Sequence, residues 1–203
     1  SNDNSVFIEE IAQLIGCRMI KMISMTCDFD ELEKRHLIRC SRSDSRPRYR
    51  VPAEVVEAVK QNRLYTPKSK SNLTTHQVFE HLNELFEAKN DGEISYNRLK
   101  EEIEVLLHEN ASLYFCKQIA TYRKKIINRK SILLLLFFCH KFINLDDDCI
   151  SNYDWKKLFD DNLTYRVMKT SLLRGDNELI CCDLVEYMND NGFEDKENMK
   201  LTD

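Results

Sequence analysis

The chain has 203 residues, of which 42% are hydrophobic and 32% are charged, and its formal net charge is -4. This composition is typical of one medium or two small globular domains, and the small net charge gives no general attraction for nucleic acids. Only four glycines and three prolines are present, which argues against a turn-rich β-sandwich or barrel and favours a mostly α fold.

Turn residues and apolar periodicity predict a series of short elements in the first part of the chain. They are helices at about 6–15, 18–26 and 29–37, strands at about 37–41 and 48–51, and a helix at 53–60. Asp28 followed by Glu31 is a capping-box arrangement for the third helix. Helices followed by a two-stranded hairpin are typical of a winged helix, so we predict a winged-helix unit over 1–62.

Residues 63–72 are mostly polar and contain two lysines and a proline, which predicts a linker. A helical domain is predicted over 73–203, beginning with a capping box formed by Thr74 and Gln77. Its helices are predicted at about 75–88, 95–109, 111–128, 130–143, 149–160 and 164–174, with the run 146–148 capping the fifth.

The end of the chain repeats the order of the first unit. Residues 177–187 predict a helix that runs into a strand, a polar turn follows, and 197–201 predict the return strand. We therefore expect a second winged-helix-like unit at about 130–203, related to the first as a weak internal repeat.

The hairpin of the first unit is strongly basic. Its candidate contacts for a polyanion or a protein partner are Arg39, Arg42, Arg46, Arg48 and Arg50. Such a hairpin could follow a phosphate backbone, but alternate residues of any exposed wing also face water. The alternative function is therefore a winged-helix DNA-binding transcriptional regulator that uses these arginines.

The helix before the hairpin argues against DNA. Helix-turn-helix proteins bring the N-terminal end of the recognition helix close to the phosphates. Here that end carries carboxylates, namely Asp28, Asp30, Glu31 and Glu33, which would repel a duplex. The second unit is also acidic, with Asp176, Glu178 and Asp183. We therefore expect a protein partner, with nucleic acid as the less favoured alternative.

No motif indicates catalysis, a cofactor or a metal. The chain has neither G-x-x-x-x-G-K-[ST] nor G-x-S-x-G, and its adjacent Cys-His and Cys-Cys pairs lack zinc spacing. Residues 87–98 are similar to a calcium loop at Gly92 and Ile94. However, Lys89 and Arg98 occupy positions where oxygen ligands belong. We expect a non-enzymatic chain without cofactors.

The eight cysteines include no C-x-x-C pair. Most lie in apolar or periodic segments, which predicts reduced thiols and a cytoplasmic location rather than a disulfide framework. The longest apolar run, 132–139, is far shorter than the ~20 residues of a membrane span. We therefore expect this run to be a buried helix and the chain to have no membrane partner.

Four segments together resemble the region before the ATPase domain in a group of bacterial AAA+ ATPases. They are FDELEKRHLIR (29–39), YRVPAEVVEA (49–58), EVLLHENASL (104–113) and LLRGDNELICCDLVE (172–186). In that group a winged-helix unit precedes a helical region. The resemblance implies that ATP binding belongs to a C-terminal domain outside this sequence. It also implies that the chain is a regulatory or interaction module for that domain or for another protein.

Overall fold

The structure is a computed structural model that describes residues 5–41, 47–67, 70–190 and 192–202, with Asp190 described by its backbone alone. The described chain is mostly α-helical with small antiparallel sheets, which confirms the predicted mostly α class. It divides into two compact units, one comprising Ser1–Ser69 with Asp91–Ser95 and the other Lys70–Asn90 with Tyr96–Asp203.

In the first unit, short helices are combined with three strands. The elements in chain order are β1 (Val6–Phe7), α1 (Ile8–Leu14), α2 (Met19–Ser24), α3 (Thr26–Lys34), β2 (Arg39–Ser41), β3 (Arg48–Arg50) and α4 (Ala53–Lys60). Gly16 turns the chain between α1 and α2 with a φ of 66°, a left-handed value that glycine adopts without strain. Pro52 separates β3 from α4, because a residue without an N–H group suits a helix start better than a strand.

The three strands form one antiparallel sheet in the order β1-β3-β2. Tyr49 on the central strand is opposite Val6 on β1 and Cys40 on β2. Tyr49 and Cys40 are buried. Because side chains alternate along a strand, Arg48 and Arg50 share the opposite face. The predicted hairpin is present, and β1 adds a strand that the sequence did not indicate.

Three predictions for this unit are wrong in detail. The first helix begins at Ile8 rather than 6, because residues 6–7 pair with β3. The third helix begins at Thr26, so Asp28 lies inside the first turn and is not the N-cap. The apolar residues of the predicted helix 29–37 indicate a core position for Leu32, but Leu32 is 37% exposed.

The second unit consists mainly of helices and ends in a hairpin. Its elements are α5 (Thr75–Asn90), α6 (Tyr96–Glu109), α7 (Tyr114–Lys125), α8 (Arg129–Leu145), β4 (Ile150–Ser151), a 3-10 helix (Lys156–Leu158), α9 (Asn162–Arg174), α10 (Glu178–Cys181), β5 (Val185–Asp190) and β6 (Phe193–Leu201). Helix α8 is central, since residues 131–136 are all buried. Among the described helices, none combines the length and hydropathy needed to cross a bilayer.

Two sets of side-chain hydrogen bonds fix the start of the second unit. Thr74 N–H donates to Gln77 Oε1 at 2.9 Å and Gln77 N–H donates to Thr74 Oγ1 at 3.3 Å. This geometry confirms the predicted capping box. The buried Asn110 side chain accepts from Leu73 N–H at 2.9 Å and donates to the Lys70 carbonyl. The incoming chain is thereby attached to the end of α6.

The second sheet has the strand order β4-β6-β5. Ile150 on β4 pairs with Met199, and Val185 on β5 pairs with Leu201. In both units, the last strand in sequence therefore lies between the other two.

The segment before the second hairpin differs from the prediction. Residues 149–160 were expected to be helical, but they contain β4 and the 3-10 helix. The run 146–148 was expected to begin that helix. Instead, Asp146 is the left-handed C-cap of α8, with a φ of 52°, and Asp147 pairs with Lys141 at 2.9 Å.

Candidate interaction surfaces

The basic hairpin predicted to contact a partner is formed by β2 and β3. Arg39, Arg48 and Arg50 lie on these strands, whereas Arg42 and Arg46 lie outside the described residues. The side chains of Arg39 and Arg50 are 35% and 36% exposed. The structure therefore brings three of the five candidate arginines together on one small sheet.

Arg39 and Arg50 share a counter-ion, Glu93, within the first unit. One carboxylate oxygen of Glu93 pairs with Arg39 and the other with Arg50, and Glu54 lies 3.9 Å from Arg39. The two arginines are opposite each other in the strand register, where like charges repel unless an anion lies between them. Because Glu93 is only 18% exposed, water screens these pairs less than it screens fully exposed ones.

Arg48 also has a partner within the sheet. Its guanidinium carbon lies 5.1 Å from the centroid of the Phe7 ring, a distance at which cation–π attraction operates. Phe7 is its opposite residue in the β1–β3 register. All three described arginines of the hairpin are therefore engaged inside the first unit, which reduces the positive potential presented to a phosphate backbone.

Helix α3, which precedes the hairpin, keeps an acidic surface. Asp28 and Glu31 are exposed, and Asp30 and Glu33 are partly buried. Glu31 pairs with Arg35 at 2.9 Å. An approaching polyanion would meet carboxylates here, as the sequence predicted.

An apolar surface that sequence reasoning missed lies on α1 and α2. This α1–α2 patch consists of Leu14 (80% exposed), Ile15 (60%), Met19 (37%), Ile20 (84%) and Ile23 (58%). Ala12 and Met22 on the same helices are buried. A signal was available, because α2 is apolar at 19, 20, 22 and 23. These positions spread over roughly 160° of the helix surface, wider than a ~100° stripe packed against one neighbour, so exposure of part of them is expected.

Exposure of the α1–α2 patch is unfavourable for the unit alone. Moving one aliphatic side chain fully out of water stabilises by about 1.5–3 kcal/mol. A partner that covers Leu14, Ile20 and Ile23 therefore gains on the order of 5 kcal/mol before the entropy of association is subtracted. Several large apolar side chains exposed on two successive helices are typical of a protein contact site.

A half-open cavity of about 230 Å³ lies in the second unit and is lined in part by aromatic rings and lysines. Each lysine at its edge has a partner. Lys89 pairs with Asp160 at 2.6 Å, Lys141 with Asp147 at 2.9 Å, and Lys157 donates to the Asn90 carbonyl at 3.2 Å. These lysines therefore already have ion-pair or hydrogen-bond partners within the second unit, and they are poorly placed to attract an anionic ligand.

His140 at this cavity is structural. It is 3% exposed, and burial, assisted by the charge of Lys141, lowers its pKa from 6.5 to about 4. The Asn144 amide donates to Nδ1 at 2.9 Å, and the ring centroid lies 5.0 Å from that of Phe86. The imidazole is therefore neutral at physiological pH, and its packing and hydrogen bond explain its burial.

Within the described parts of the chain, no group of three or more His, Cys, Asp or Glu side chains is placed to hold a metal ion. All eight cysteines are unbridged. Burial raises the pKa of the Cys139 thiol to about 12, so this thiol is protonated and a poor nucleophile at neutral pH.

Comparison with known proteins identifies no relative. No family model matches the chain, and neither a curated protein nor a solved structure matches it. Function is therefore inferred from the residues and their geometry.

Proposed function

We propose that this chain is a non-catalytic regulatory or protein-interaction module from the N-terminal part of a larger, cytoplasmic AAA+ ATPase of bacterial type. In this proposal the first unit is a winged helix. Residues 130–203, which are part of the second unit, form a second winged-helix-like fold. ATP binding and hydrolysis belong to a C-terminal ATPase domain outside this chain. The partner of the module is that domain or another protein.

The arrangement of strands supports the winged-helix part of the proposal. In each unit a hairpin follows short helices, and a further short strand pairs with the last strand of that hairpin. The hairpins β2–β3 and β5–β6 correspond to the wings. The same order twice in one chain favours a repeated scaffold over two unrelated folds.

The observation that carries the interaction role is the α1–α2 patch. Its apolar side chains are exposed on the first unit, while the three arginines of the hairpin that the structure describes have partners inside that unit. Apolar exposure together with neutralised cations favours a protein surface over a phosphate backbone.

A salt titration separates this role from the DNA-binding alternative. Fluorescence anisotropy of labelled duplex DNA is measured at increasing salt for the chain, for Arg50→Ala and for the control Arg35→Ala at the C-cap of α3. We expect only weak, sequence-independent binding at physiological salt, changed similarly by both substitutions. Tight sequence-specific binding that weakens steeply with salt, and that Arg50→Ala alone removes, would contradict the proposal.

The ATPase part has its own test in the gene. The reading frame that encodes this chain should also encode G-x-x-x-x-G-K-[ST] on the C-terminal side, within a strand–loop–helix context. A frame without that motif would refute the AAA+ assignment and leave the interaction role to be judged by the titration.

A further inference from the structure

The α1–α2 patch has a charge pattern that identifies the kind of surface it fits. Helix α1 carries the exposed carboxylates Glu9 and Glu10 and no cation. Arg18, the N-cap residue of α2, and Lys21 within that helix are exposed, and α2 carries no carboxylate. The exposed apolar side chains of the patch are therefore accompanied by negative charge on α1 and by positive charge on α2.

Most of these charges are available for a partner. Among the described residues, Glu9, Arg18 and Lys21 form no ion pair. Glu10 differs, because one of its oxygens accepts from Phe7 N–H at 2.7 Å. These three exposed side chains can thus form new pairs without breaking existing ones.

We propose that the occupant of the α1–α2 patch is a second copy of this chain. In a two-fold dimer, α1 of one copy lies on α2 of the other, so the same contact is made twice. The apolar side chains then cover one another, with Ile20 near the centre. Glu9 meets Lys21 or Arg18 of the second copy, and both sets of charges are paired. This inference rests on the proposed interaction role and extends it by naming the partner.

Other occupants fit the charges less well. An anionic lipid surface would attract Arg18 and Lys21 but repel Glu9 and Glu10. A nucleic acid would meet the same carboxylates and gain nothing from the exposed isoleucines. A surface that carries both signs beside an apolar centre is matched by its own two-fold copy, because each sign then lies opposite its complement.

The first test is the oligomeric state of the chain. Sedimentation velocity is recorded over a wide range of protein concentrations for the chain, for Ile20→Glu and for the matched control Val59→Glu, an exposed aliphatic residue on α4. We expect a monomer–dimer equilibrium that Val59→Glu leaves unchanged. Ile20→Glu weakens it at least about a hundredfold, because two carboxylates enter the apolar centre.

A charge exchange then distinguishes a second copy from any other partner. Glu9→Lys and Lys21→Glu each place like charges opposite one another, and each should weaken dimerisation about tenfold. The double variant restores opposite charges and should return the dissociation constant to within about threefold of the original. Glu9→Lys places a cation in the first turn of α1, where it opposes the helix dipole, and Lys21→Glu on another helix does not offset that cost. At a protein concentration where every variant is monomeric, thermal melting followed by circular dichroism should therefore show no recovery of stability in the double variant.

Three outcomes would overturn the inference. They are a monomer at every concentration, a dimer that Ile20→Glu does not affect, and a double variant as weak as the single ones. A monomer that also fails to bind DNA would remove the second copy as partner and leave the interaction role standing. Specific DNA binding would instead contradict the proposed function itself.

Discussion

At the scale of single residues, Glu93 changes the interpretation of the basic hairpin. Arg39 and Arg50 looked like free cations in the sequence, yet one carboxylate from a distant part of the chain pairs with both. The sequence cannot show that Glu93 neutralises these two arginines, because the three residues are brought together only by folding. Pairing with Glu93 thus lowers the positive charge that the hairpin presents to a partner.

Replacing Glu93 should expose that charge again. Glu93→Gln leaves Arg39 and Arg50 without an anion between them, so we expect the first unit to lose about 1–2 kcal/mol of stability. We also expect elution from heparin at higher salt. Asp91→Asn removes the same charge from a neighbouring exposed position and is the control. Equal heparin elution for the two variants would refute this role of Glu93.

His140 makes the stability of the second unit depend on pH. Its folded-state pKa of about 4 lies below the ordinary 6.5, so between these values the unfolded chain binds more protons. The free energy of unfolding therefore falls as pH falls through this window, by on the order of 2–3 kcal/mol in total.

Denaturant unfolding at several pH values tests this dependence. Trp155, the only tryptophan, is fully buried in the second unit, and its fluorescence reports the unfolding of that unit. In His140→Gln, the dependence of the free energy of unfolding on pH should lose the part that comes from the imidazole. The carboxylates contribute equally in the variant and in the original chain. Identical slopes for the two proteins would show that His140 does not titrate as stated.

At the scale of elements, the apolar helices α8 and α2 differ in how many of their apolar side chains are buried. Helix α8 buries its four consecutive leucines at 133–136 within the second unit, whereas Leu145 at its end is 51% exposed. Helix α2 has a similar character over six residues, but the first unit covers only Met22 completely. The remaining apolar side chains form the α1–α2 patch.

The start of α5 gives a prediction for one element. Thr74→Ala removes the hydroxyl that accepts from Gln77 N–H, so the second unit should lose about 1 kcal/mol. Thr75→Ala alters the next, exposed residue, and we expect a change of less than about 0.5 kcal/mol. Urea unfolding followed by Trp155 fluorescence measures both. An equal loss in the two variants would argue against a capping contribution.

At the scale of the whole molecule, local signals predicted the fold better than the surfaces. The helix at 53–60 and the capping box at Thr74 were predicted correctly, because their signals act on immediate neighbours in the chain. The strands at 6–7 and 150–151 are too short to show a period of two, and they exist only because a later strand pairs with them. The pairing of Glu93 and the exposure of the α1–α2 patch are likewise products of tertiary structure.

Hydrogen–deuterium exchange of the 203-residue chain tests the central claim most directly. It is recorded at low protein concentration, at high protein concentration, and with excess duplex DNA. We predict that residues 14–23 become more protected as protein concentration rises and that DNA leaves β2 and β3 unchanged. DNA-induced protection of β2 and β3, with no protection of 14–23 at any protein concentration, would contradict a protein-contact module and support a DNA-binding wing.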